Sequence, residues 1–213
     1  MSEKVLSRSE YDAFEQRFKA QYFNSLVGPK NVCLVGTSDA EHRTNLAIFN
    51  SLVHVGSNPP LLGIIFRPDS VERHTYENIL STKEYTVNLV SEPDIAAAHQ
   101  TAARYPKDQS EFEATGLMAQ YIDGFHAPMV SNSPVSFGLV FRENIPIGLN
   151  GTNMIIGEVQ WFKYPEEIID ADGFADLTKA SVVGCIGLDA YTKLSIIQRF
   201  EYAKPDKPPR IKS

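Results

Sequence analysis

The strongest constraint on this chain is a series of short β-forming runs, each cut off by glycine, proline, asparagine or serine. The runs occupy 31–37, 60–66, 85–90, 135–141 and 154–162, with a last one at 181–187. A doubly wound parallel sheet needs a long helix between successive strands, and the intervals here do not supply them. The pattern predicts a mainly β fold, an antiparallel six-stranded barrel with peripheral helices. Two helices interrupt the runs. One opens after Ser70 and ends near Thr82; the other is capped by Ser91, with Asp94 three residues on, and passes through Ala96, Ala97 and Ala98 towards Arg104. Ahead of the first strand, Ser7 and Glu10 have the spacing of a capping box. Tyr11, Phe14, Phe18 and Tyr22 then recur every three or four residues, which predicts one amphipathic helix within 1–27, packed on the barrel or on a partner subunit. The barrel domain is expected over 28–200. Residues 201–213, rich in Pro, Lys and Arg, read as a solvated tail or an arm laid on a neighbour.

Composition removes several classes of function. The 213 residues, 43% of them hydrophobic, suffice for a core without disulfides or metals. A formal charge of −6 offers no field to hold a polyanion, so no nucleic-acid partner is expected. Cys33 and Cys185 lie among apolar neighbours and read as buried free thiols, and the five histidines show no metal-ligand spacing, so no metal is assigned. No apolar run approaches the roughly 18 residues of a membrane span and no charged-then-apolar leader is seen; the expectation is a cytoplasmic protein without a membrane partner. The glycine-rich fingerprints of dinucleotide folds and P-loops, and the serine elbow of α/β-hydrolases, are absent as well.

The chemistry concentrates between residues 45 and 75. Asn45, Leu46, Ala47, Ile48, Phe49 and Asn50 form a run, read as a loop, that supplies backbone donors, two amide side chains and an apolar platform for a planar heterocycle. Downstream, Arg67, Ser70, Arg73 and Thr75 bring two guanidinium groups and two hydroxyls, with a helix opening near Ser70 to add its positive end. Together they suit a flavin nucleotide and its phosphate.

The order of motifs resembles the flavin-reductase-like family of FMN-binding split barrels. It runs from Asn45-Leu-Ala through Pro59-Pro60, Arg67-x-x-Ser70, Thr75-x-x-Asn78-Ile and Tyr85-Thr-Val-Asn88-Leu-Val. It continues in Tyr105-Pro, Glu111-Phe-Glu-Ala-Thr-Gly-Leu117, Ala127-Pro128, Gly157-Glu-Val159 and Gly187-x-x-x-Tyr191. The resemblance implies FMN on residues 45–50 and 67–75, NADH or NADPH as co-substrate, a homodimer with the flavin near the subunit interface, and an oxygenase or other acceptor for the electrons. Reductases of the family often carry Gly-Asp-His before the Gly-Glu-Val strand and Arg-Leu-Gly-Gly near the C-terminus. Here Thr152 takes the histidine's place and Cys185-Ile-Gly187-Leu replaces the second motif. Thr152 and His126, the latter in a loop that approaches the site in relatives, are the two candidates for a role in catalysis. Three readings stay open: an NAD(P)H-dependent flavin reductase, a non-catalytic FMN electron carrier or store, and a pyridoxamine-phosphate-oxidase-like or haem-handling barrel.

Overall fold

In the computed structural model, which describes residues 2–68 and 73–212, two short helices open the chain, α1 (Arg8–Asp12) and α2 (Gln16–Leu26). Ser7 and Glu10 close the expected capping box on α1. The single helix expected here is divided because the Glu15 carboxylate accepts from the amides of Arg17 and Phe18, which starts a second helix. The aromatic stripe survives the break: Phe14 packs edge-on against Phe18 at 4.7 Å and Tyr22 at 5.5 Å.

There follow β1 (Lys30–Asn31), β2 (Cys33–Ser38), β3 (Thr44–Phe49), β4 (Leu52–Ser57), β5 (Pro60–Phe66), α3 (His74–Thr82), β6 (Glu84–Leu89), α4 (Ile95–Gln100) and α5 (Glu111–Thr115). The second half holds β7 (Ala119–Gln120), β8 (Met129–Val130), β9 (Ser136–Ile147), β10 (Thr152–Lys163), β11 (Val183–Ile186) and β12 (Ala190–Lys193). The principal sheet is antiparallel, with strand order β3-β2-β6-β9-β10-β5-β4. It has seven strands, one more than expected.

This strand order forces the sheet to close. β3 and β4 are its opposite edges, yet only Asn50 and Ser51 separate them in sequence. Three Cα–Cα steps reach at most about 11 Å, whereas the edges of a flat seven-stranded sheet would stand about 29 Å apart. The sheet must curl until its edges meet. Bulges between Ile156 and Gly157, between Val159 and Trp161, and between His54 and Gly56 supply the bend. β3 and β4 share no ladder, so the barrel is split along their seam.

Alternation along β2 and β3 sorts residues into two cores. Cys33 and Val35 point into the barrel with Ile64, Tyr85, Leu139 and Ile155. Leu34 and Leu46 point outward, beneath Ala98 of α4 and Phe112 of α5. Gly157 of the Gly-Glu-Val motif leaves room inside for Tyr85, whose hydroxyl would collide with any Cβ at that position.

The segment 45–50, read as a loop from its flanking asparagines, is therefore mostly strand, and β4 was not foreseen. The helix after Ser91 begins as a 3-10 turn, Glu92–Asp94, and ends at Gln100, short of Arg104; there the Thr101 hydroxyl takes the Ala98 carbonyl. The C-terminal segment doubles back: Phe200 bridges Ile211, and Arg199 pairs with Asp170 at 2.9 Å and Asp172 at 2.5 Å, where Lys212 joins it. Among the described residues no helix is long and apolar enough to cross a membrane.

Candidate functional site

α3 packs against β2 and β3, and its first turn meets β3 through a buried polar cluster. Asn45 and Thr37 face each other in the β2–β3 register. The Asn45 side-chain amide donates to Thr37 Oγ1 at 3.2 Å and to Thr75 Oγ1 at 2.8 Å. One turn along α3, the amide of Asn78 donates to the same Thr37 hydroxyl at 3.1 Å. All four residues are buried. Residues 30 positions apart in the chain, Asn45 and Thr75, thus become direct partners. Thr75 and Asn78, three apart on one helical face, carry the signal of this in the sequence.

At the helix start, Arg73 is the N-cap residue and has no side-chain capping bond; its backbone amide donates to Glu77 Oε1 at 3.2 Å. Among the described residues its Nε is buried without a hydrogen-bond partner. A buried guanidinium donor beside a helix N-terminus is an arrangement that an anion completes. Arg67 is exposed directly after Phe66, the end of β5, and the β9–β10 hairpin tip reaches the same segment, since a Cβ on Gly151 would lie 3.6 Å from Pro68. Ser70 lies outside the described residues.

Of the six residues expected to bind the ring, Asn45 and Leu46 are buried, and Ala47, Ile48, Phe49 and Asn50 are half-buried along the seam. Phe49 stands 4.9 Å from Phe66, which in turn meets Tyr76 of α3 at 5.4 Å, an aromatic floor between seam and helix. The two asparagine side chains were expected to serve a ligand directly. Instead Asn45 donates to the threonines, and Asn50 donates to the Gly187 carbonyl at 2.9 Å. What the strand presents to a planar molecule is its backbone and the surface of Ala47–Asn50.

The two catalytic candidates occupy different places. Thr152 opens β10 at the hairpin tip, where its hydroxyl donates to Asn150 Oδ1 at 2.7 Å. It is next to Gly151, and so close to the Arg67–Pro68 segment. The His126 ring has Nε2 2.8 Å from the Asp39 carbonyl and lies tilted against the His42 ring at 4.6 Å, while its backbone amide donates to Glu84 at 2.6 Å. The ring braces the β2–β3 turn.

A cavity beside this cluster was not foreseen. Arg43, Asn45, His74, Asn78, Lys107 and Glu111 are among its lining residues. Arg43 is engaged by Asp39 at 2.7 Å. Burial pushes Asp39 up, but the Arg43 backbone amide and guanidinium and the Glu41 amide together hold it below the usual carboxylate range. Glu111 is shifted the other way: burial raises its carboxyl, only partly offset by the Leu46 amide, its own backbone amide and the charge of His74.

The comparisons agree with this geometry. The model of the flavin reductase like domain matches residues 28–177. The crystal structure of a candidate flavin reductase with split barrel domain from Shewanella frigidimarina NCIMB 400 is 41% identical. It superposes with a TM-score of 0.91 over 94% of this chain and 100% of that one. Nitrilotriacetate monooxygenase component B from Bacillus cereus shares the fold at 23% identity and a TM-score of 0.82, covering 94% of this chain and 100% of that one. An uncharacterised Aquifex aeolicus protein is 29% identical over 170 residues, 79% of this chain and 86% of its own length.

Proposed function

This chain belongs to the flavin reductase like domain family, a family of flavin-related oxidoreductases, and from that premise we propose that it binds FMN non-covalently and reduces it with NADH or NADPH. One observation carries the reading: the Asn45–Thr75 bond ties the seam strand to the first turn of α3, so a ring platform and a phosphate cradle adjoin. The cradle consists of Arg67, Arg73, Thr75 and the opening amides of α3, with Ser70 proposed from the sequence. The buried, unpaired Arg73 Nε fits a phosphate oxygen. FMN, when bound, supplies a hydride acceptor, and hydride transfer needs no protein nucleophile.

The protein's own task is orientation and exclusion of water. The Ala47–Asn50 surface and the Phe49–Phe66–Tyr76 floor provide apolar contact for the ring. Thr152, lacking a titratable side chain, leaves nicotinamide stacking to shape. An oxygenase or another small acceptor would take the electrons onward, a reading supported by the shared fold with a monooxygenase component. A homodimer is proposed on the exposed apolar residues of and after α2, including Phe18, Phe23, Leu26 and Val27. A monomer by light scattering with a full complement of flavin would contradict it.

A second reading, a flavin carrier without turnover, draws on the same threonine. The visible spectrum of the purified protein, followed by anaerobic addition of NADH and of NADPH, separates the two. A flavin spectrum that bleaches supports the reductase; a flavin spectrum that persists leaves the carrier; a colourless protein that takes up no added FMN refutes both.

A further inference from the structure

β3 is a sheet edge, hydrogen-bonded to β2 on one side only, and the residues proposed to meet the flavin lie on it. A strand edge of this kind leaves amides that nothing in the sheet satisfies. At Leu46 the missing partner is replaced by a side chain: Glu111, the first residue of α5, accepts from the Leu46 amide through Oε2 at 2.9 Å. Glu111 is 6% exposed and Leu46 fully buried, so the bond is shielded from water. Around it, the Thr44 and Ser110 hydroxyls meet at 2.6 Å, a second tie between β3 and the start of α5.

We propose that Glu111 is a positioning residue for the flavin site: its carboxylate stands in for a neighbouring strand at the Leu46 amide and holds Asn45–Asn50 in the register from which they meet the ring. The proposal rests on the flavin reading above. A buried carboxylate is a costly way to satisfy one amide, since a neutral acceptor would do so without desolvating a charge. The ionised group, however, makes the shorter and stronger bond. It also couples the strand to proton concentration. The groups around it are Asp39 and Arg43 from the β2–β3 turn, His74 from α3 and Lys107 from the segment before α5. On α4, His99 has Nδ1 2.9 Å from the Tyr191 hydroxyl, away from this cavity's lining. Asp39 is already bound to Arg43, and His74 and Lys107 are the other basic side chains that line the cavity with Glu111. Burial raises the Glu111 pKa despite that bond, so the ordered strand favours the protonated carboxyl, whose carbonyl oxygen still accepts from Leu46; ionisation loosens the strand, and flavin affinity falls as the pH rises through the raised pKa.

The test compares the full-length native protein with Glu111→Gln and Glu111→Ala, reading FMN affinity against pH and exchange of the Leu46 amide. We expect Glu111→Ala to lose about tenfold or more in affinity at neutral pH and to lose protection at Leu46, the consequence of an unsatisfied amide. Glu111→Gln, whose Oε1 still accepts, should retain protection and most of the affinity but lack the fall in affinity with rising pH that the native protein shows. FMN affinity of Glu111→Ala equal to native, or the same fall in affinity with rising pH in Glu111→Gln, would overturn the role of Glu111. A native protein that binds no FMN would instead remove the flavin reading on which it stands, while the Leu46 exchange data still report whether the carboxylate holds the strand.

Discussion

Replacing Arg73 by Met tests the phosphate cradle at the point where the structure commits itself. The substitution keeps the aliphatic stem of a half-buried side chain and removes its donors. In the protein without flavin, Arg73 Nε is already buried and unpaired, so its removal breaks no hydrogen bond made through that atom. An unsatisfied buried donor costs about 1–3 kcal/mol, and stability without ligand should therefore hold or rise slightly. With FMN bound, the same change removes a charge-assisted bond worth about 1.5–3 kcal/mol, a loss of roughly 10- to 150-fold in affinity. The opposite signs separate a binding role from a structural one. Quenching of flavin fluorescence on titration of the apo-protein gives the affinity, and urea unfolding gives the stability. A variant that binds FMN like the native protein, or one that loses more than about 1 kcal/mol of stability with affinity unchanged, would show that Arg73 serves the fold and not the phosphate.

Thr152→His places a titratable ring at the hairpin tip; NAD(P)H oxidation, expected to be slow and nearly flat between about pH 6 and 8 in the native protein, should become faster or acquire a titration in that window, as read in steady-state rates. Glu111→Gln should stabilise the protein at neutral pH but not at low pH. Because the folded-state pKa of Glu111 is raised, its favourable contribution is complete below the unfolded value and is lost as pH rises through the folded one, so a denaturation series in which the difference grows towards acid would contradict the sign. Gly157→Ala drives a methyl group into the Tyr85 hydroxyl and should cost about 1–3 kcal/mol in unfolding experiments, with Gly157→Ala, Tyr85→Phe recovering part of it.

Much of the fold was legible in the residues. The punctuated β-forming runs at 60–66, 85–90 and 154–162 mark β5, β6 and β10, and the Ser7–Glu10 spacing marks the cap of α1, because both signals depend on neighbours within a few residues. The proposed cradle residues Arg67, Arg73 and Thr75 come from residue type and spacing alone. Closure of the barrel could not. It follows from the order in which strands pair, which places β3 and β4 at opposite edges, and no local signal carries that order. For the same reason the asparagines at 45 and 50 looked available to a ligand, whereas packing assigns their amides to Thr37, Thr75 and Gly187. His126 was ambiguous from its sequence neighbours, and only the approach of the Asp39 carbonyl gives its ring a partner. Glu111 was merely one member of a motif; its bond to Leu46, 65 positions away, exists because α5 folds over an unpaired strand edge. Residue type and spacing determined which chemistry the chain carries, and long-range contacts decided which of its polar groups are spent on the fold and which remain for a ligand.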